Sequence, residues 1–343
     1  MSVTIKMIAD RAGVSTGTVN RALNGKDRIK EQTRQKILKI ADEMGYQANT
    51  AAKALGTKRK PIRIGAIIFP QNFYGHEDIF SLIYAGLQQA AEKYTAYGMQ
   101  TTIMQMKSYT AEEQLQAIDT LKQQGISALI ISVVDDQAVI RQLHALQEEG
   151  MLVIAVNVDL QNTERFCFIG QNLYQSGRTA AHLLYQMNHT LTEAAILGGI
   201  PQARSAEDRM HGFEQYFQEN LPDISVYQKH QEICYPEDIY LQAGKLLDEH
   251  AELNCFCVTT FSPRGLVRAL RERNRQAYIV GFDDTRENIQ LLKNGEINFL
   301  IAQQPERQGT MSMDILFDYF FNKIRPERNN IYTKIEILSR ENL

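Results

Sequence analysis

The chain has 343 residues, too many for one small hydrophobic core, and its 44% apolar and 22% charged content is that of a soluble globular protein of two or three domains. Net charge is only -3, but residues 1–60 hold 13 Lys and Arg against 5 Asp and Glu, whereas the remainder holds 24 against 35. A small basic module joined to a larger acidic body suits a nucleic-acid-facing head on a domain that does not itself bind nucleic acid. No apolar run reaches membrane-spanning length and the N-terminus lacks an export-signal core, so the expected compartment is the bacterial cytoplasm, with no membrane partner. Cys167, Cys234, Cys255 and Cys257 show no ligand spacing, which favours structural thiols over disulfides or a metal site.

In the head, Ile5, Ile8, Ala9 and Ala12 recur at helical spacing, with Thr4 as N-cap and Gly13 able to end the helix. Ser15 caps a second helix whose inward face is Val19, Ala22 and Leu23, leaving Thr16, Gly17, Asn20 and Arg21 outward or at the edges. Two short helices cannot bury their faces alone. Ile37, Ile40, Ala41 and Met44 supply a third, and the spacing predicts a helix-turn-helix with the second helix entering the major groove. Thr16 can touch a base edge or phosphate and Arg21 can reach guanine or the backbone, while Gly17 reads nothing and only lets the duplex approach. From Asn49 an alanine-rich segment runs to Gly56; it is too short for a stable isolated helix, and Leu55 is a candidate apolar wedge for the minor groove.

From residue 61 onward strands alternate with helices. Strands are expected at 64–69, 101–105, 128–133, 152–156, 167–169, 194–198, 225–231, 255–259 and 277–282. Helices are expected at 79–97, 111–124, 138–148, 176–187, 209–219, 238–249, 263–272 and 288–294. Apolar strands between amphipathic helices indicate parallel sheets covered on both faces, and the strand count calls for two of them. Ligands in such folds meet the carboxyl ends of strands. Those ends carry Asn72 and Phe73, Asp135, Asn157 and Asp159, and Asp283. Gly198-Gly199 ahead of Arg204 is a weak phosphate-loop signal, and no catalytic triad or HExxH motif occurs, so neither an enzyme nor a cofactor is expected.

These residues resemble the lactose-repressor family of bacterial transcription regulators over essentially the whole chain. The resemblance is carried by Ile8-Ala9-x-x-Ala12-Gly13-Val14-Ser15-x-x-Thr18-Val19-x-Arg21-x-Leu23-Asn24-Gly25, Thr33-Arg34 and Gly45-Tyr46-x-x-Asn49-x-x-Ala52-x-x-Leu55 in the head. In the body it is carried by Gly281-Phe282-Asp283-Asp284 and Ala302-Gln303-Gln304-Pro305-x-x-x-Gly309. It implies a repressor that binds a palindromic DNA operator as a homodimer and answers to a small carbohydrate-like effector. The implied fold is an all-α three-helix DNA-binding head plus an α/β two-lobed periplasmic-binding-protein-like body with parallel sheets. The divisions implied are a head at 1–48, a hinge at 49–60 and a body at 61–343. Within the body, lobe 1 takes about 61–160 and 304–322 and lobe 2 about 161–302 and 326–340, with crossovers near Leu160, Gln303 and Lys323–Pro326. Motif matching makes Thr4, Ser15, Thr16, Gly17, Thr18, Asn20, Arg21, Asn24, Thr33, Tyr46, Asn49, Ala52 and Leu55 the expected DNA-facing set.

For the effector, Asp283 and Gln303 are the leading positions: a carboxylate accepts hydroxyl protons, and an amide both donates and accepts. Asn72, Phe73, Phe80, Asp135, Asn157 and Asp159 complete the expected cleft; Phe80 could instead be a core residue of its helix. The arginine implied six residues before Phe213 is Glu207 here; either Arg204 replaces it, or the pocket prefers a cationic or donor-rich ligand. Asn20 stands where serine is usual, Lys30 replaces the usual capping serine before the third helix, and Gln171 replaces a common aspartate. The rival readings are a free solute-binding protein and, further off, a sugar or nucleotide enzyme.

Overall fold

The structure is a computed structural model that describes residues 3–23, 29–44, 61–69, 79–159, 165–198, 205–229, 235–259 and 262–343. The chain forms two compact units, Met1–Arg59 and Lys60–Leu343. Asn24, Tyr46, Asn49, Ala52 and Leu55 of the expected DNA-facing set, and Asn72, Phe73 and Arg204 of the expected cleft, lie outside the described residues.

In the first unit, α1 (Ile5–Ala12), α2 (Thr16–Leu23) and α3 (Glu31–Glu43) close over a small core of Ile8, Ala9, Ala12, Val19, Ala22, Ile37 and Ala41. The turn between α1 and α2 needs Gly13, which sits in the left-handed region at φ 70°, where a side chain would be strained. Lys36 Nζ donates to Ala12 O at 3.1 Å, so α3 caps the carbonyl end of α1 with a cation. At the start of α3, Lys30 makes no side-chain capping bond. The first-turn N–H groups of α3 therefore receive no side-chain cap from it.

The second unit contains two six-stranded sheets. The first has the order β11-β5-β4-β3-β1-β2 and is parallel throughout, built from β1 (Ile62–Ile68), β2 (Met99–Gln105), β3 (Ala128–Ile131), β4 (Leu152–Val156), β5 (Cys167–Gly170) and β11 (Asn330–Tyr332). The second has the order β12-β10-β9-β8-β6-β7, from β6 (Glu193–Leu197), β7 (Ser225–Lys229), β8 (Cys255–Val258), β9 (Tyr278–Phe282), β10 (Phe299–Ala302) and β12 (Glu336–Leu338), of which only β12 runs antiparallel. Their helices are α4 (Ile79–Thr95), α5 (Ala111–Gln123), α6 (Gln137–Glu148) and α12 (Pro305–Phe317) in the first lobe. Lobe 2 holds α7 (Leu173–Met187), α8 (Ser205–Asn220), α9 (Pro236–Glu249), α10 (Arg264–Glu272) and α11 (Arg286–Lys293). Central strands such as β3 and β8 are buried along their whole length, as expected for sheets covered on both faces.

Strand pairing moves two of the three expected crossovers. The buried run Cys167–Gly170 stays beside β4 in the first sheet, so lobe 1 extends to Gly170 and the chain crosses at Gln171, not near Leu160. The third crossing is at residues 333–335, not at Lys323–Pro326, because β11 pairs with β5 in lobe 1 while β12 pairs with β10 in lobe 2. Between β10 of the second sheet and α12 of the first lobe the chain crosses at Gln303. The three are stitched together: Gln171 Nε2 donates to Ala302 O at 3.0 Å, and Gln304 Nε2 donates to Glu336 Oε1 at 2.7 Å.

Helices in both lobes pack in pairs at a separation that only glycine permits. A Cβ at Gly86 of α4 would lie 2.0 Å from Glu306 O of α12, and one at Gly177 of α7 would lie 1.9 Å from Arg209 O of α8. The second contact seats α8, and with it Arg209, against the carboxyl end of the lobe 2 sheet.

Candidate functional site

Among the polar residues that follow directly on a strand at its carboxyl end are Asn157 after β4, Gln171 after β5, Asp283 after β9 and Gln303 after β10. Asn157 and Asp283 are the matching positions of the two lobes, and both adopt φ 66°, a left-handed conformation costly for residues other than glycine. Each is held there by the neighbouring strand: Asn157 N donates to Ile169 O at 2.9 Å, and Asp283 N to Ile301 O at 3.1 Å. Asn288 of α11 adds a second clamp, its Nδ2 donating to Phe282 O at 2.9 Å and Asp283 O at 3.1 Å. Strain that the surrounding structure over-determines in this way is a mark of sites held ready for a partner.

The side chains meet across the second crossover. Gln303 Nε2 donates to Asp283 Oδ1 at 2.6 Å, and Asn157 Nδ2 donates to Gln303 Oε1 at 3.2 Å, so one amide joins a lobe 1 residue to a lobe 2 carboxylate. Asn157, Asp283 and Gln303 are all buried. Burial pushes the Asp283 carboxyl above its ordinary pKa, opposed by the charge of Arg209 and by the bond from Gln303.

Arg209 is the group that sequence reasoning missed. Its guanidinium lies 4.0 Å over the ring of Phe282, is 4% exposed and leaves Nε without a hydrogen-bond partner. Desolvation depresses its pKa, with the Asp283 charge acting the other way. Glu207, the expected cleft position, is exposed in the first turn of α8, and the inward face of the same helix two residues later carries Arg209, whose charge acts on Asp283. A signal was available, since Arg209 shares the helical stripe of buried Phe213 and Phe217.

Three other expected cleft residues belong to lobe 1. Phe80 is 2% exposed and packs edge-on against Phe69 with ring centroids 5.1 Å apart, so it serves the lobe 1 core and presents no open face for a sugar ring. Asp159 accepts from Arg165 at 2.6 Å, and the same guanidinium reaches Asn330 Oδ1 at 2.6 Å, which ties the loop before β5 to β11. Asp135 is exposed between β3 and α6.

In the head, Thr16, Gly17, Asn20 and Arg21 form an exposed face of α2. Ser15 accepts from Thr18 N at 3.2 Å and its hydroxyl bonds the Thr18 hydroxyl at 2.9 Å, while Thr4 accepts from Met7 N at 3.3 Å. Thr4 and Ser15 thus build the helix ends that orient α1 and α2. Thr33 is half-buried in the first turn of α3.

A model of bacterial regulatory proteins of the lacI family matches residues 4–49, and a periplasmic binding protein domain matches residues 64–323. The chain belongs to the lacI family of bacterial regulatory proteins. This lacI-family regulator is 26% identical to the HTH-type transcriptional regulator DegA of Bacillus subtilis over 83% of its own length and 82% of DegA. It is 24% identical to the HTH-type transcriptional regulator RegA of Clostridium saccharobutylicum, covering 99% of each chain. Among solved structures it shares its fold with GanP, a glucose-galactose binding protein from Geobacillus stearothermophilus. The TM-score is 0.73 at 17% identity, covering 83% of this chain and 99% of that one. Taken together, the two matches make the protein a ligand-responsive regulator of the lacI type.

Two open grooves of the regulator, about 730 Å³ and 970 Å³, lie at the amino ends of the sheets, opposite the polar cluster. Several of their charged groups already have partners. In the first, Arg275 donates to the carbonyls of Leu247, His250, Ala251 and Leu253, and Arg271 pairs with Glu296. In the second, Arg165 is held by Asp159. The convergent and strained groups are at the carboxyl ends, where ligands of doubly wound sheets bind. No described helix is long and apolar enough to cross a membrane.

Proposed function

We propose that the regulator represses transcription by binding a near-palindromic operator as a homodimer, and that a small carbohydrate-like effector, bound between the lobes, controls it. The observation that carries the effector part is a buried carboxylate, Asp283, bonded by the Gln303 amide and acted on by the charge of a buried and incompletely bonded guanidinium, Arg209. A polyol hydroxyl can donate to the carboxylate and accept from the guanidinium, so a neutral sugar satisfies both charges without adding one. The crossover amide that links Asn157 to Asp283 then senses the separation of the lobes. An effector can shift the regulator only through different affinities for two lobe arrangements, and inducer and corepressor would occupy the same cleft.

On the DNA side, the exposed face Thr16, Asn20 and Arg21 is proposed to read the major groove, with Gly17 admitting the duplex and Leu55 of the linker as the minor-groove wedge. Selection of bound sequences from random duplexes by the full-length protein, with and without D-glucose, D-galactose, D-ribose or L-arabinose, tests both parts. A two-fold symmetric site whose enrichment changes with one sugar is expected. Protection of a single half-site by monomer would sink the dimer, and enrichment unmoved by any sugar together with no thermal stabilisation would sink the carbohydrate effector.

A further inference from the structure

Gln308 lies in the first turns of α12 and is completely buried, in a helix whose other inward residues include Gly309, Ser312, Met313 and Leu316. A buried amide is costly unless bonded. Its Nε2 donates to Gln303 O at 3.1 Å and to Gln303 Oε1 at 3.4 Å, while its own Oε1 has no partner. An apolar side chain of equal length would fill this space without the orphaned oxygen. The gain from a glutamine here therefore lies in what it does to Gln303.

The polarity of the chain Gln308, Gln303, Asp283 follows from its last member. An ionised carboxylate only accepts, so Gln303 must turn its nitrogen to Asp283 and its oxygen back toward Asn157 and Gln308. Both of these present nitrogen to that oxygen. Turned by half a rotation, Gln303 would set oxygen against carboxylate oxygen and nitrogen against two donors. Asp283 sets the direction of the amide, and the two lobe 1 donors hold its other end.

We propose that Gln308 is a positioning residue of the cleft: from lobe 1 it locks the Gln303 amide with its nitrogen toward Asp283, so that a polyol meets one fixed pattern of donors and acceptors across the second crossover. The part concerning a polyol rests on the function proposed above; the locked amide does not. Gln308 thereby links α12, which is packed on α4 through Gly86 and Gly309, to the lobe 2 carboxylate. Closure of the lobes cannot change the separation of Asn157 and Asp283 without disturbing this amide.

The test uses ligand-free, full-length protein with 15N-labelled glutamine side chains. The Gln303 amide pair is identified by its loss in Gln303→Met, and its bond to the carboxylate by its displacement in Asp283→Asn. Gln308→Met keeps the length and removes the donors; Gln308→Glu sets an acceptor against the Gln303 oxygen. In Gln308→Met the Gln303 pair is expected to move toward the position of an unbonded amide or to broaden, with the thermal midpoint within a few degrees of wild type. In Gln308→Glu the displacement is expected to be larger. An unchanged Gln303 pair in either folded variant overturns the proposal. D-glucose, D-galactose, D-ribose and L-arabinose are then titrated into wild type and Gln308→Met. A sugar that binds wild type is expected to bind the variant about tenfold more weakly, the loss of one well-placed hydrogen bond. Equal affinities overturn the fixed-pattern part. If none of the four stabilises wild type, the carbohydrate reading is what fails, and the amide signal still decides the role of Gln308.

Discussion

The head and the cleft present their polar groups in opposite ways. On α2 the residues facing outward are exposed, and the hydroxyls beneath them are spent on helix ends, so the surface is a solvated one that gains shape only against a partner. In the cleft, Asn157, Asp283, Gln303 and Arg209 are withdrawn from water, two of them in left-handed backbone, and the first three are bonded to one another before any ligand arrives. The difference teaches where each site keeps its energy. DNA contacts are drawn from charge and counterion release at the moment of binding, whereas the cleft has met its desolvation and strain costs during folding and returns them as preorganisation.

The comparison breaks first at Arg209. Arg209→Met keeps the contact with Phe282 and removes the charge; calorimetric titration with a binding sugar should show affinity lower by about ten- to a hundredfold, the range for a charged hydrogen bond. Operator affinity measured without sugar should stay within about twofold of wild type, since Arg209 belongs to the body. Equal losses in both assays would mean that the two sites do not divide the work as described.

Gly177→Ala is the next largest effect. Its Cβ would meet the Arg209 carbonyl at 1.9 Å, so α7 and α8 must separate. A loss of about 1–3 kcal/mol is expected from such overpacking, seen as a lower thermal midpoint together with weaker sugar binding. An unaffected midpoint would show that the helix pair can yield.

Protonation sharpens the contrast, because Asp283 titrates inside the protein and the described head buries no charged side chain. With the folded pKa raised above the unfolded value, the contribution of Asp283 to stability is fully present below the unfolded pKa, near 4, and is lost as pH rises through the folded value. Wild type and Asp283→Asn should therefore have similar thermal midpoints at about pH 4, and the variant should gain on wild type toward pH 7. A wild type that gains instead would show that attraction by Arg209 outweighs burial.

The smallest expected effect lies in the head. Lys30→Ser supplies the side-chain cap that α3 lacks and should stabilise the head by about 1 kcal/mol. Chemical denaturation of the full-length protein followed by head-specific amide exchange checks it. No gain would imply that the free N–H is already satisfied by water.

Much of this was legible in order along the chain. Alternating apolar runs located β1 to β9 within a few residues, and helical spacing with Thr4, Gly13 and Ser15 located α1 and α2, because hydrophobic period and capping are local properties. Asp283 stands at the end of an expected strand, whereas Gln303 was named through the stretch Ala302-Gln303-Gln304-Pro305 that carries the family resemblance. The elements from β10 to β12 were not read as strands or helix: β11 and β12 are three residues each and partly exposed, and such segments carry no usable period. Arg209 was missed because a charge on a buried stripe looks like an interruption until the opposing carboxylate is known.

The sequence by itself determined the two-unit plan, the three-helix head, the parallel sheets and the polar strand ends, all consequences of composition and short-range pattern. Only the tertiary structure decided which sheet receives β5, β11 and β12, and hence where the chain crosses between lobes. It also decided which strand-end residues converge and how the Gln303 amide is turned. Those outcomes depend on pairing between residues far apart in the chain, such as Cys167 with Ile154, Asn330 with Phe168 and Gln303 with Asp283, where no local preference chooses among the alternatives and only burial of the whole does.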